Sequence, residues 1–258
     1  FGCHAKGDAI SFVKETENVN FIEAVEILAK EAGLQIPEQD PQAKEKSNYR
    51  DELFKIMELS VKFYQRSLSS AKGLRAREYI NSRKLTSEIT GDFELGFAPN
   101  SRTELFDYLS DKNIPEQQII DTGMCLRSDD GGAAYDRFRD RIMYPIRDSR
   151  GRCIAFGGRA MPKNARAKYL NSPETKLFDK GRSLYNISAA RSALNTHSSL
   201  IVAEGYMDVI ALSQENFKAS VAPLGTAITG EQLALIWRIS PSPVAVSYTH
   251  LRAHETPC

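Results

Sequence analysis

The segment 199–239, SLIVAEGYMDVIALSQENFKASVAPLGTAITGEQLALIWRI, decides the fold of this chain. It predicts the strand SLIVA, a helix over about 207–214, a second strand in ASVAPL and a helix over about 230–239. Residues 244–246 would begin a third strand. Because the strands are continuous apolar runs joined by helices, they favour a parallel sheet covered on both faces, whose ligands bind at the carboxyl ends of the strands.

Glu204 follows the first of these strands and precedes Gly205. A carboxylate at this position lies at the mouth of the sheet and can hold a hard cation; the alternative is an exposed Glu at a strand end. Asp208 falls in the first turn of the next helix, where a cap or helix-dipole role explains it as well as a metal role does. The loop 225–226 offers contacts to phosphates or only a tight turn.

The second helix of the segment has its own start signal and apolar face. Thr229 and Gln232 have the spacing of a capping box. Leu233, Ile236 and Trp237 predict one buried stripe.

A basic β-hairpin is predicted before this segment. RIMYPIRDSRGRCIAFGGR (141–159) contains two apolar runs around the turn-forming residues 148–151. The window 137–182 holds 13 Lys and Arg against 4 Asp and Glu, whereas the whole chain has a net charge of +1. Charge concentrated in one segment indicates a polyanionic partner, or else a solvated charged face.

The first part of the chain predicts two short helices and a tether. Asp8 can cap the first helix, Asn20 with Glu23 the second, and Gly33 ends it. Residues 35–48 have the composition of a linker. A longer helix is predicted from Tyr49, with an apolar face of Leu53, Ile56, Met57, Val61 and Tyr64, and shorter helices follow to about residue 122.

The composition limits the class of protein. With 41% hydrophobic and 26% charged residues over 258 positions, the chain can form one or two globular cores. No apolar run approaches the roughly 20 residues of a membrane-spanning helix, and the first residues lack a secretory signal. We therefore expect a cytoplasmic location, no membrane partner and reduced cysteines.

Six segments in a fixed order, spread over residues 1–246, resemble bacterial replicative DNA primases. They are FGC…GDAISFV…FIEAVEILA at the start, RFRDRIMYPIRDSRGRCIAFGGR, KYLNSPET, FDKGRSLY, VAEGYMDV and APLGTAIT.

The resemblance implies an α+β fold. It places the helical tail of a zinc ribbon at 1–34, a linker at 35–48, and a helical and β-hairpin subdomain with a basic groove at 49–198. A partial α/β Toprim sheet follows at 199–246. The last residues, SYTHLRAHETPC (247–258), resemble no primase segment. We expect this tail to be non-native, so His250 and His254 receive no metal role.

The function implied by the resemblance is that of a DNA primase, a nucleotidyltransferase that makes short RNA primers on single-stranded DNA from ribonucleoside triphosphates. It assigns Glu204 to a Toprim site for Mg²⁺ or Mn²⁺, with Asp208 as the second catalytic candidate. Nucleic-acid and nucleotide contacts fall on Arg139, Arg141, Arg159, Lys168, Asn171, Lys180 and Arg182.

Some side chains in the basic segment have two interpretations. Asn171 either orients a phosphate or ribose or caps the turn before Pro173. Four aromatic residues either stack bases or belong to the core: Phe138, Tyr144, Phe156 and Tyr169.

Features of the intact protein are also implied. Cys3 matches the last of four Zn²⁺ ligands, and the other three would precede this sequence. The remaining acidic pair of the family, an Asp-Gly-Asp, would follow Val246, so the chain as written is expected to be catalytically incomplete. The resemblance further implies a monomer that meets the replicative helicase through a C-terminal region absent here.

Two other functions stay open. A Toprim topoisomerase or nuclease would cleave DNA, and a topoisomerase would need a nucleophilic Tyr in a separate domain. A non-catalytic single-stranded DNA-binding module would use the basic segment alone.

Overall fold

The computed structural model describes residues 8–16, 21–34, 41–127, 131–162, 164–194, 199–225 and 227–246. The chain divides into two compact units, Phe1–Asn48 and Tyr49–Cys258. In the described ranges, no helix is both long and apolar enough to cross a membrane. The predictions for Cys3, Asn20 and residues 35–40, 226 and 247–258 fall outside these ranges.

The first unit contains two helices that pack against each other, α1 (Ala9–Thr16) and α2 (Phe21–Glu31). The cap predicted for α1 is confirmed, because Asp8 Oδ1 accepts the Ser11 N–H at 2.8 Å. This hydrogen bond lowers the pKa of the Asp8 carboxyl. The predicted end of α2 is also confirmed: Gly33 adopts φ +65°, and the Leu34 N–H reaches the Ala29 carbonyl at 2.8 Å.

Helix α3 (Pro41–Ser69) begins eight residues before the predicted start at Tyr49. Residues 42–46, QAKEK, are good helix formers, and Pro41 is tolerated in a first helical turn. The predicted apolar face is confirmed, since five side chains are each 2% exposed or less: Leu53, Ile56, Met57, Val61 and Tyr64.

Short helices follow α3 as predicted. They are α4 (Leu74–Ser82), α5 (Ser87–Asp92), α6 (Glu104–Ser110) and α7 (Glu116–Asp121). A small ladder of β2 (Cys125–Leu126) and β3 (Tyr135–Asp136) comes after them. The buried Asp136 carboxylate accepts the Leu105 and Phe106 N–H groups at 2.8 and 3.0 Å. Burial raises the pKa of Asp136 to about 6.

The predicted hairpin is confirmed as the centre of an antiparallel sheet. Its strands are β1 (Gly96–Ala98), β4 (Arg141–Arg147), β5 (Cys153–Ala160) and β6 (Tyr169–Asn171), in the order β1-β4-β5-β6. Gly151 adopts φ +81° in the turn, and its N–H reaches the Asp148 carbonyl at 2.9 Å. The interiors of β4 and β5 are buried on both faces, which leaves the basic residues at the strand ends.

Two adjacent glycines let β5 lie close to its neighbours. A Cβ at Gly157 would lie 2.6 Å from ring atoms of Tyr206, and a Cβ at Gly158 would lie 2.8 Å from the Phe138 ring. Because successive residues of a strand face opposite sides of the sheet, the pair permits close aromatic packing on both faces.

We expect Gly157→Ala to lower the free energy of unfolding by about 1–2 kcal/mol, because the added methyl group must displace a buried ring. Urea unfolding would measure the change. Gly91→Ala is the matched control, since a Cβ at Gly91 meets nothing within 4 Å. Equal stability of the two variants would contradict the packing described here.

The second sheet confirms the predicted strand–helix–strand–helix order. It comprises β7 (Leu184–Tyr185), β8 (Ile201–Val202), β9 (Ser220–Pro223) and β10 (Val244–Ala245), with helices α8 (Ile187–Ala193), α9 (Tyr206–Gln214) and α10 (Gly230–Ile239). The strand order is β10-β8-β9-β7. The strands β10, β8 and β9 are parallel, as predicted, and β7 adds an antiparallel edge. Both residues of β10 are exposed, so the described residues do not cover the sheet at this edge.

Helix α10 has the predicted bounds and capping box, but its buried stripe differs from the prediction. Ile236 is buried, whereas Trp237 is 61% exposed and Leu233 is half-buried. Gln232 is buried in their place, because its Nε2 donates to the carbonyls of Lys180 and Ser183 at 3.0 and 2.9 Å. Trp237 follows Ile236 by about 100° around the helix, which places it off the buried stripe and agrees with its exposure.

Candidate functional site

Glu204 lies at the carboxyl edge of the parallel sheet, as predicted. The ladder continues one residue past β8, because the Ala203 N–H donates to the Val221 carbonyl at 2.8 Å. Glu204 then leaves the sheet with an exposed side chain, Gly205 is extended, and α9 begins at Tyr206. The neighbouring parallel strand, β9, ends at the same edge and leads into Leu224 and Gly225.

Asp208 lies in the first turn of α9 beside this edge. A Cβ at Gly205 would lie 3.7 Å from Asp208 Oδ2, so Glu204 and Asp208 flank one short turn, the Glu204 turn (residues 204–208). The first turn of a helix favours a carboxylate electrostatically, so the metal role of Asp208 stays a prediction alongside the helix-dipole role.

Asn171 joins the end of β6 to this edge. Its Nδ2 donates to the Leu224 carbonyl at 2.6 Å, and its Oδ1 accepts the Tyr206 hydroxyl at 2.6 Å. The amide is therefore held by Leu224 and Tyr206, and the idea that it only caps the turn before Pro173 is wrong. The antiparallel sheet and the Glu204 turn meet through this side chain.

Lys180 and Arg182 lie on a 3₁₀ turn (Lys180–Arg182) but have different neighbours. Lys180 is exposed, and its Nζ would lie 3.7 Å from a Cβ added at Gly225, so it reaches the loop after β9. Arg182 pairs instead with Asp179 at 3.8 Å and Glu231 at 3.5 Å. Of the two, Lys180 is the one at the carboxyl edge.

Half-buried arginines brace the antiparallel sheet. Arg141 donates to the carbonyls of Gly158 and Ala167, each at 3.1 Å, and Arg137 donates to the Asn171 carbonyl at 3.0 Å. Burial lowers the pKa of both guanidinium groups, and the positive charge of Arg137 adds to this effect at Arg141. Two positive charges in a partly desolvated site favour the binding of an anion. Arg139, between them in sequence, is exposed.

A cation–aromatic cluster forms where α4 meets β5. The Arg159 guanidinium lies 3.8 Å from the Tyr79 ring centroid, and Arg83 Nε donates to the Tyr79 hydroxyl at 2.8 Å. Lys168 Nζ is 6.0 Å from the ring centroid of Tyr169, which is 44% exposed. Exposed aromatic rings next to arginine and lysine are suited to stack bases and hold phosphates of a single strand.

Sequence reasoning missed Arg83, Tyr79 and Arg137 as members of this region. Arg83 and Tyr79 precede the basic segment by more than 50 residues, and no local pattern marks them. Arg137 lies inside the motif RFRDR, whose two other arginines we predicted. Three of the four candidate stacking aromatics belong to the core, since Phe138, Tyr144 and Phe156 are 1% exposed or less.

The acidic residues present fit only part of a magnesium site. Within the described ranges, no three His, Cys, Asp or Glu residues are grouped so as to hold a metal ion. Mg²⁺ is commonly bound through one or two carboxylates, with waters and substrate phosphates completing its six ligands. An exposed Glu204 with Asp208 one turn later agrees with such a partial donor set.

Three family models match this chain. The DNA primase catalytic core, N-terminal domain, matches residues 63–191. The CHC2 zinc finger matches residues 1–44, and the Toprim domain matches residues 198–247.

Individual proteins agree with these models. A DNA primase of Pseudomonas putida is 42% identical over 245 residues, which are 94% of this chain and 37% of that protein. A solved DnaG primase catalytic domain bound to single-stranded DNA has a TM-score of 0.70 and 40% identity, and the match covers 77% of this chain and 62% of that one. The zinc-binding and RNA polymerase domains of Aquifex aeolicus primase have a TM-score of 0.70 and 32% identity over 95% of this chain and 58% of that one. The chain spans about two fifths of the length of the curated relatives it matches.

Proposed function

Because the chain belongs to the bacterial DnaG-type DNA primase family, we propose that the protein containing it is a DNA-directed RNA polymerase that makes primers on single-stranded DNA. The observation that carries the proposal is the junction at Asn171. That side chain connects the arginine-bearing antiparallel sheet to the Glu204 turn and to the loop after β9. Positive charge suited to a polyanion and a carboxylate suited to a cation are therefore joined at the carboxyl edge of the parallel sheet.

The proposed reaction is attack of a ribonucleotide 3′-hydroxyl on the α-phosphate of an incoming ribonucleoside triphosphate. A phosphodiester bond forms, and pyrophosphate leaves. Glu204 would hold Mg²⁺ or Mn²⁺, with Asp208 as a second carboxylate, and the ion would supply charge neutralisation during the in-line displacement. Lys180, beside Gly225, would bind the triphosphate as a point charge.

The template would lie along the cation–aromatic cluster. Arg83, Arg159 and Lys168 would hold its phosphates, while the exposed Tyr169 ring would stack a base. Three nearby arginines would add positive potential: Arg137 and Arg139, in the connection between β3 and β4, and Arg141, the first residue of β4. Zn²⁺ would be held in the ribbon, with Cys3 as one ligand. Arg182, which pairs with Glu231, would contribute less than the other predicted cations.

Partners and compartment follow from the same proposal. The proposed ligands are single-stranded DNA and ribonucleoside triphosphates, and the proposed partner is the replicative helicase, met by a monomer in the cytoplasm. None of the matches reported above favours a topoisomerase, a nuclease or a non-catalytic module.

The proposal is tested with the full-length protein, single-stranded DNA and ribonucleoside triphosphates in the presence of Mg²⁺. We expect short RNA products whose sequence is complementary to the template, and no relaxation of a supercoiled plasmid. Relaxation or cleavage of the plasmid without RNA synthesis would replace the proposal with a Toprim topoisomerase or nuclease.

DNA binding supplies a second prediction for the template surface. We expect Arg83→Met to weaken single-stranded DNA binding about fivefold at moderate salt and to reduce the slope of log affinity against log salt by about 0.7, the loss of one phosphate contact. Fluorescence anisotropy at several salt concentrations measures both quantities. Arg238→Met, an exposed arginine on α10, is the control. A slope unchanged by Arg83→Met would remove Arg83 from the template surface.

A further inference from the structure

Tyr206 is packed tightly although it lies only two residues after the exposed Glu204. It is 7% exposed, and its ring stacks on Tyr144 at 5.2 Å between centroids with planes 8° apart. Tyr185 meets it edge-on at 4.7 Å. The Tyr206 ring fits against strand β5 only because Gly157 has no Cβ. The first residue of α9 is thus fixed by aromatic contacts to the antiparallel sheet.

The Tyr206 hydroxyl makes one specific hydrogen bond within this packing. It donates to Asn171 Oδ1 at 2.6 Å, which leaves Asn171 Nδ2 directed at the Leu224 carbonyl. Burial raises the pKa of the Tyr206 hydroxyl, so it stays a protonated donor at working pH. Since an amide can rotate to exchange its oxygen and nitrogen, the hydroxyl donor also fixes which end of Asn171 faces each partner.

A neighbouring tyrosine shows that hydroxyl groups in this cluster are not equivalent. The Tyr185 hydroxyl is buried and has no hydrogen-bond partner among the described residues. Both rings belong to one aromatic cluster, so removal of either hydroxyl preserves the ring packing. Of these two hydroxyls, that of Tyr206 bonds Asn171 and so connects to the loop after β9, whereas that of Tyr185 bonds no described residue.

We infer that the Tyr206 hydroxyl is a positioning group. Through Asn171, it holds the Glu204 turn and the loop after β9 at fixed positions relative to the antiparallel sheet. The inference rests on the proposed function for its catalytic consequence. Tyr206 touches no reacting atom in this arrangement. It acts by keeping the cation-binding carboxylate and Lys180 at fixed positions relative to the template surface, because small displacements of a catalytic group lower the rate strongly.

The test compares Tyr206→Phe with Tyr185→Phe in the full-length protein. For Tyr206→Phe we expect kcat of primer synthesis to fall about tenfold, as expected for a displaced rather than a missing group. Mn²⁺ affinity, measured by electron paramagnetic resonance, should weaken, and hydrogen exchange in a peptide covering residues 203–209 should become faster. Single-stranded DNA affinity should stay within twofold. Tyr185→Phe should match the wild type in all four measurements.

Asn171→Ala, alone and combined with Tyr206→Phe, tests the route of the effect. If the hydroxyl acts through Asn171, the double variant should lose no more activity than Asn171→Ala alone. Multiplied losses would overturn the inference, as would a Tyr206→Phe variant that matches Tyr185→Phe. Hydrogen exchange does not depend on catalysis. Absence of primer synthesis in the wild type would therefore refute the proposed function, whereas unchanged exchange in Tyr206→Phe would refute the positioning role.

Discussion

Glu204→Gln in the full-length protein is expected to lower primer synthesis by about 100-fold or more, because an amide carries no charge to hold the cation that phosphoryl transfer requires. The side chain is exposed at the end of a strand, so the substitution preserves shape and should leave the fold intact. Single-stranded DNA affinity should be unchanged, since the proposed template surface is formed by other residues. Quantitative primer assays over a range of Mg²⁺ and Mn²⁺ concentrations measure the loss.

The matched control is Glu215→Gln, which neutralises an exposed carboxylate at the other end of α9. It should retain full activity. Undiminished primer synthesis by Glu204→Gln would show that the cation is held elsewhere. It would refute the proposed metal site at the carboxyl edge of the parallel sheet.

Arg147→Met is expected to lower the free energy of unfolding by about 2–3 kcal/mol, less than for fully buried pairs because the partners are partly exposed. The guanidinium bonds Glu58 at 2.6 and 3.1 Å and Glu94 at 2.6 and 2.8 Å, and its Nη1 also reaches the Gly151 carbonyl at 2.7 Å. It thereby ties α3 and the segment before β1 to the hairpin turn. Without it, two carboxylates face each other with no cation between them.

The pH dependence of Arg147→Met follows from Glu58. Burial opposes ionisation of Glu58, but hydrogen bonds from Arg147 and the Cys153 N–H outweigh it and lower the pKa of its carboxyl. A lowered folded-state pKa contributes stability above the ordinary value of 4.5, which is lost as the pH falls through the folded value. The difference between variant and wild type should therefore be largest near neutral pH and shrink as the pH falls below 4.5.

Urea unfolding at several pH values measures this difference. Lys72→Met, which removes an exposed pair with Glu104, is the control and should cost less than about 1 kcal/mol. An equal cost for both substitutions would contradict the linking role of Arg147.

Elements with local signals were predicted closely. The bounds of α10 are recovered because Thr229 and Gln232 form a capping box within four residues. The hairpin is recovered because its turn sequence lies between two apolar runs. The start of α3 was misplaced, because the composition of residues 35–48 suggested a linker, and the helix-forming residues 42–46 outweighed that signal.

Features that depend on distant partners could not be read from the sequence. Asn171 bonds Tyr206 and Leu224, which lie 35 and 53 residues away. Arg83 and Arg159 meet on one ring only because α4 packs near β5. Trp237 was placed in the buried stripe because nothing local shows that Gln232 has carbonyl partners near residue 180. Motif order predicts which residues form the site, and tertiary packing decides how they are oriented.

The same Gln232 has a consequence for how substitutions in α10 would be interpreted. Its amide holds the backbone of Lys180 and Ser183, and the Thr229 hydroxyl donates to the Gly181 carbonyl at 2.6 Å. The base of a long, flexible lysine is therefore anchored from a helix fifty residues later. If Lys180 binds the triphosphate as proposed, a genetic screen that selects for weakened nucleotide use would recover changes at Gln232, although this glutamine lies outside every segment that suggested the activity.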